Sequence, residues 1–208
     1  MILGIETSTR EASLAVLDRT TGAILYERIF VTERAHNAVI FEPVEEILNQ
    51  FRDRLAGIVV GLGPGSYGGV RVGISVANGL ALAMGLPVAG RTSLEAWKAD
   101  SDSYLVVGDA RRGTFFVAEV IEQKLQGEPL LVEAGEIGSI LSPMRERGFS
   151  IHTPDAKVVE LVDGAVLSFP RAATLASLFG DTQLERGVPQ VLEPHYLRAP
   201  YITFPKGK

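Results

Sequence analysis

Residues 59–85 constrain the fold of this chain more than any other stretch. Val59 and Val60 close an apolar, β-branched run. Gly61, Gly63, Gly65, Gly68 and Gly69 punctuate a turn, and small and apolar residues then continue to Gly85. This succession predicts a strand, a tight loop and a helix. A helix that is apolar nearly all round has to be covered on all sides. Gly69, Gly73, Ala77 and Ala81 fall four apart and form a smooth stripe, while Val72, Val76, Leu80 and Met84 are expected on the other side. Glycine inside a helix costs roughly 0.8–1 kcal/mol relative to alanine. Gly69, Gly73 and Gly79 therefore call for a close backbone approach, from within the monomer or from a partner.

The elements before this stretch set the topology. Residues 2–6 are a short apolar run suited to a central strand. Residues 12–18 and 23–31 follow after the polar turns Thr7-Ser8-Thr9-Arg10 and Arg19-Thr20-Thr21-Gly22, which predicts an antiparallel meander. The period then changes. His36, Val39, Ile40, Pro43, Val44, Ile47, Leu48 and Phe51 recur at helical spacing, with Pro43 expected to bend the helix. A strand over 55–61, the glycine loop, its helix, a strand over 86–89 and a short helix capped by Ser93 complete residues 1–100. The order β-β-β-α-β-α-β-α differs from that of a doubly wound nucleotide fold, which alternates from its start. It matches the ribonuclease-H-like unit, used twice in actin-like ATPases.

Residues 101–208 predict a reduced second copy. Strands are expected over 104–108 and 114–122, joined by the turn Asp109-Ala110-Arg111-Arg112-Gly113, then over 130–132, 150–153 and 165–169. Helices are expected over 140–147, with Pro143 near its first turn, and over 171–179, stopped by Gly180. An extended tail begins near Pro194.

Two phosphate-binding patterns fail in context. Gly63-Pro64-Gly65-Ser66-Tyr67-Gly68 has dinucleotide-loop spacing, but no acid ends the following strand, and no lysine lies between Ile58 and Trp97. What remains is the generic capacity of free N–H groups at a helix start to hold an anion. The preferred alternative is a turn that brings the helix close to its strand. Glu6, at the end of the first strand, is where actin-like ATPases keep a metal-handling acid, but it stands nearly alone. His36, His152 and His195 show no metal-ligand spacing. The Arg111-Arg112-Gly113 cluster is either a solvated turn or a contact for RNA or an acidic partner.

Composition narrows the function further. The chain has no cysteine, which excludes disulfides and thiolate chemistry. Its net charge of −5 argues against gripping nucleic acid alone. Residues 70–86 contain Arg71, Ser75, Asn78 and glycines and fall short of the ~20 residues of a membrane span. The start of the chain lacks a basic segment, so a cytoplasmic protein without a membrane partner is expected.

Four stretches, in order, carry a resemblance: Ile2-Leu3-Gly4-Ile5-Glu6-Thr7-Ser8-Thr9, Gly63-Pro64-Gly65-Ser66-Tyr67-Gly68-Gly69-Val70-Arg71-Val72-Gly73, Asp109-Ala110-Arg111-Arg112-Gly113, and Pro194-His195-Tyr196-Leu197-Arg198. The chain resembles the TsaB (YeaZ) family. That resemblance implies two ribonuclease-H-like halves, the second reduced, and a role in making threonylcarbamoyladenosine beside the anticodon of tRNA. It implies a catalytically silent subunit that pairs with a TsaD-like transferase through two helices of the first half. A TsaE-like ATPase joins the pair, a similar surface forms homodimers, and tRNA is met only through the complex. Spacing and resemblance together place the interface at His36, Val39, Ile40, Val44, Ile47, Val72, Gly73, Val76, Leu80 and Met84. An anion or nucleotide contact would use Glu6, Thr7, Ser8, Gly63, Gly65 and Ser66, with no cofactor expected and ATP as the alternative. Glu6 stands where the family more often has Asp, and Tyr67-Gly68 replaces a Phe-Thr pair, which weakens any nucleotide site. The competing functions are an actin-like ATP-binding enzyme and a peptidase.

Overall fold

The computed structural model describes residues 1–31, 37–101, 103–181 and 191–197. Strands β1 (Ile2–Glu6), β2 (Glu11–Leu17) and β3 (Ile24–Val31) form the predicted antiparallel meander. Helix α1 (Phe41–Phe51), β4 (Gly57–Gly61), α2 (Tyr67–Met84) and β5 (Val88–Arg91) follow. β4 lies parallel to β1, and β5 parallel to β4, giving the order β3-β2-β1-β4-β5.

The second sheet repeats this plan. β6 (Tyr104–Asp109) and β7 (Thr114–Ile121) are antiparallel, β9 (Leu130–Glu133) pairs with β7, and β10 (Ser150–Thr153) and β11 (Ala165–Leu167) add in parallel beside β6. The order β9-β7-β6-β10-β11 therefore has the topology of the first sheet. A two-residue β8 (Lys124–Leu125) also pairs with β7. Helices α3 (Ile137–Glu146) and α4 (Ala156–Leu161) take the places of α1 and α2, and α4 has only 6 residues against 18 in α2. The α/β class with two ribonuclease-H-like halves is what the structure shows.

β1 is apolar up to its last residue, Glu6, and buried along its whole length. Leu3 and Ile5 meet Ile47 of α1 and Val70, Ile74 and Ala77 of α2. Ile2, on the opposite face, meets Leu175, Ala176 and Phe179 of α5 (Ala172–Ser177) and the turn that extends it. The last helix of the second half thus covers the first sheet. A Cβ on Gly4 would collide with the carbonyl of Ala172, so that glycine sets how closely α5 approaches.

Several local expectations change. Residues 37–51 are not one bent helix. A 3₁₀ turn (Asn37–Ile40) leads into α1, and Pro43 sits third in α1, where an N–H has no intrahelical acceptor in any case. The helix begins around the proline instead of bending at it. Thr92, not Ser93, caps the next segment. That segment is a 3₁₀ turn (Ser93–Ala96), with the Thr92 hydroxyl accepting from the Leu94 N–H at 3.3 Å. α3 starts at Ile137, which puts Pro143 inside it. α5 tightens into a 3₁₀ turn (Leu178–Asp181) that passes through Gly180. α4 and β8 are too short to show a period. Among the described residues no helix is long and apolar enough to cross a membrane.

Candidate functional site

Glu6, Thr7, Ser8, Gly63, Gly65 and Ser66 come together, but around one another and not around an open cradle. The β1–β2 turn lies against the glycine loop and the first turn of α2. The Ser66 N–H donates to the Ser8 carbonyl at 2.6 Å, and the Gly63 N–H donates to the Ser93 hydroxyl at 3.0 Å. Two donors that an anion would need are thus committed to the chain itself. The Thr7 hydroxyl donates to the Gly69 carbonyl at 2.8 Å. A Cβ on Gly65 would strike the Ser8 carbonyl, and one on Gly69 would strike the Thr7 carbonyl. The glycines at 65 and 69 serve this close approach. Ser66 caps α2, its hydroxyl accepting from the Gly69 N–H at 3.3 Å.

Glu6 lies beneath this clasp with no exposure. Its Oε1 accepts from the Ser8 N–H at 2.7 Å, and Oε2 has no hydrogen-bond partner. Burial pushes its carboxyl above the usual carboxylate range, outweighing the opposing influence of Ser8 and Ser93. The tail closes over the loop: the His195 N–H donates to the Leu62 carbonyl at 2.7 Å, and the Tyr196 ring stacks on Tyr67 at 5.4 Å. His152 lies instead in the second half, between the hydroxyls of Ser150 and Ser168.

The helical surface is sorted differently from its spacing-based assignment. Gly73, Ala77 and Ala81 face inward, as the smooth stripe requires. Val72, Val76, Leu80 and Met84 are half-buried and pack on the first core. At 100° per residue, an offset of three leaves the two stripes about 60° apart, so they are neighbours and not opposite sides. The outermost face carries Gly68, Arg71, Ser75, Gly79 and Leu82, all exposed. Ile40, Val44 and Ile47 are core side chains, and Val39 is half-buried. His36 lies outside the described residues.

This outward face exposes large apolar side chains beside its polar ones. Leu82 is 88% exposed, and Phe41 at the start of α1 is 60% exposed. Phe41, Arg71, Val72, Ser75 and Val76 line a shallow groove of about 230 Å³ between α1 and α2. At its upper end the Arg71 guanidinium donates to the Tyr67 hydroxyl at 2.5 Å. Phe41, Ser75 and Leu82 escape a reading by core periodicity because they fall off the buried stripes. The available signal is the apolar Leu82 in register with Arg71, Ser75 and Gly79. Gly79 is the helix-interior glycine with nothing within 4 Å of its would-be Cβ. Nothing among the described residues explains it.

Comparison with known proteins adds a family. The family model for tRNA N6-adenosine threonylcarbamoyltransferase (TsaD) matches residues 30–176. The chain is 34% identical over 122 residues to the tRNA threonylcarbamoyladenosine biosynthesis protein TsaB of Bacillus subtilis, covering 55% of this chain and 52% of that protein. With the Escherichia coli protein of the same description, identity is 35% over 127 residues, covering 57% and 54%. The chain thus spans about half the length of the curated relatives it matches. The solved structure of YeaZ from Pseudomonas aeruginosa superposes with a TM-score of 0.70 at 23% identity, covering 86% of this chain and 91% of that one. At that identity the likeness concerns the fold.

Proposed function

We propose a function from one premise: this chain belongs to the TsaD family, and its curated relatives include TsaB proteins of tRNA threonylcarbamoyladenosine biosynthesis. It is a supporting subunit for threonylcarbamoyl transfer to a tRNA adenosine, pairing with a TsaD-like catalytic subunit through α1 and α2. The carrying observation is the outward face of α2, with Leu82 and the neighbouring Phe41 exposed, on a helix whose interior glycine at 79 leaves room for another backbone. Burying Phe41 and Leu82 would gain roughly 3–6 kcal/mol at 1.5–3 each, with a smaller increment from the already half-buried Val72 and Val76. Association costs an estimated 4–15 kcal/mol. Polar partners must therefore contribute, and Arg71 and Tyr67 flank the patch.

Catalytic silence belongs to the same proposal. It is supported by the clasp of Thr7 and Ser8, which takes up the Ser66 N–H, and by the enclosure of Glu6. So do a TsaE-like ATPase as third component, homodimers through the same face when the partner is absent, and a cytoplasmic location.

The test is reconstitution. With a TsaD-like subunit, tRNA modification should require this chain. Ser75→Arg and Leu82→Glu, both on the exposed face, should weaken pairing at least tenfold (about 1.4 kcal/mol) while the variants keep the parent's melting behaviour. Variants that pair as tightly as the parent would remove the interface from this face.

A further inference from the structure

The turn between β6 and β7 has no part in the helical interface or in the clasp. Arg111, Arg112 and Gly113 have φ of 71°, 59° and 76°, three successive left-handed residues. Glycine adopts that region freely, and Asn or Asp gains a local hydrogen bond there. Arginine gains neither and carries the steric penalty of its Cβ. Glu122 and Gln123 also have positive φ, but in the two-residue β7–β8 loop, where that hairpin type requires it. The β6–β7 loop is longer and is under no such requirement.

The strained backbone is held from beneath. The Arg111 N–H donates to Asp109 Oδ1 at 2.6 Å, and the Asp109 N–H donates to Asp155 Oδ2 at 2.7 Å. The Ala110 N–H donates to the Thr114 carbonyl at 2.9 Å, closing the hairpin. The acids beneath the turn accept these backbone bonds, while both arginines point outward. The Arg111 side chain is 86% exposed, its ion pair to Asp109 is loose at 3.8 Å, and Arg112 is exposed. Lys157, in the first turn of α4, adds a positive charge beside Asp155, as Arg111 does. The whole group sits at the carboxyl ends of the parallel strands β6 and β10, the ligand side of such sheets.

We propose that this turn is a direct contact for the tRNA phosphate backbone, Arg111 and Arg112 each presenting a guanidinium fork to a phosphate. The inference rests on the tRNA-modifying function proposed above and adds to it a nucleic-acid contact made by this chain itself. Guanidinium matches phosphate bidentately, and a rigid turn spends little entropy in presenting it. A local cationic turn suffices on an acidic chain when the rest of the footprint lies on the partner.

The test uses the full chain with its TsaD-like partner and an unmodified tRNA transcript bearing adenosine beside its anticodon, with binding measured over a salt series. In the double variant Arg111→Gly, Arg112→Gly, affinity should fall about tenfold, and the slope of log affinity against log salt should become shallower by about one to two. Its melting temperature should hold or rise, because glycine relieves the left-handed strain. Opposite signs in binding and stability are what a purely structural turn would not give. Unchanged affinity and slope, with pairing and modification intact in the parent, overturn this contact and leave the proposed function standing. Loss of pairing with tRNA affinity unchanged assigns the turn to an acidic protein surface and also overturns it. A parent chain that neither pairs nor supports modification removes the proposed function, and this contact with it.

Discussion

Glu6 shows how one residue type at one position can mean two things. At the end of a first strand it suggests an acid facing phosphates and metal. In the structure it has no access to solvent, one oxygen bonded to the Ser8 N–H and the other unpartnered. Burial raises its pKa, so the native state keeps the proton to higher pH than the unfolded chain does. From the ordinary value of 4.5 upward, the unfolded state releases its proton first, and stability falls as pH rises through the native value. Glu6→Gln removes that slope while keeping the bond from Ser8. Denaturant unfolding should find the variant more stable than the parent at pH 8, by roughly 1–3 kcal/mol, the cost of an unsatisfied buried polar group. The two should converge near pH 4. A variant less stable at pH 8 would show that the carboxylate is paired in solution. The difference between catalytic acid and buried acid was not legible in the sequence, because it depends on the Thr7–Ser8 backbone folding back over the loop.

At the scale of the element, α2 divides its glycines between two tasks. Gly69 and Gly73 face Thr7, where any side chain would collide. Gly79 faces open space, on the same exposed side as Ser75 and Leu82. Gly69→Ala should therefore destabilise the monomer by about 1–3 kcal/mol, as overpacking does. Gly79→Ala should stabilise it by up to about 1 kcal/mol, the intrinsic helix preference for alanine, and weaken pairing with the TsaD-like subunit. Thermal melts and co-elution measure the two effects separately. A Gly79→Ala chain that pairs normally would mean that no backbone comes close at this point. The existence and extent of α2 could be read from its period and from Gly85, which takes the left-handed C-cap at φ 64°. Its outward face could not, since a helix apolar all round has no hydrophobic direction to point the eye.

The halves of the molecule are joined more deeply than their order along the chain suggests. α5 follows the second sheet in sequence yet covers the first, placing Leu175 and Phe179 against Ile2 and Val59. Burying four such side chains contributes roughly 6–12 kcal/mol, as much as the whole stability of a typical domain. The Ser93–Ala96 turn completes the joint. Leu94 and Trp97 pack under the second sheet, Tyr104 donates to the Leu94 carbonyl at 3.0 Å, and the Leu125 N–H donates to Glu95 at 3.0 Å. A fragment of residues 1–100 should therefore lack a cooperative thermal transition by circular dichroism, whereas the full chain should melt in one. A sharp transition in the fragment would show that the first half can spare α5.

The sequence by itself determined the element order of the first half, the buried central β1, the strand-loop-helix unit at residues 57–84 and the family. These rest on local patterns: burial on two faces, the reach of a tight turn, the period of a helix. Tertiary structure alone decided that the glycine loop closes on the β1–β2 turn, that Val72 and Val76 lie half-buried beside the exposed face, and that α5 covers the first sheet. Each of these depends on which distant segment arrives at a surface. Local spacing records that a surface must be covered, and only the folded chain supplies what covers it.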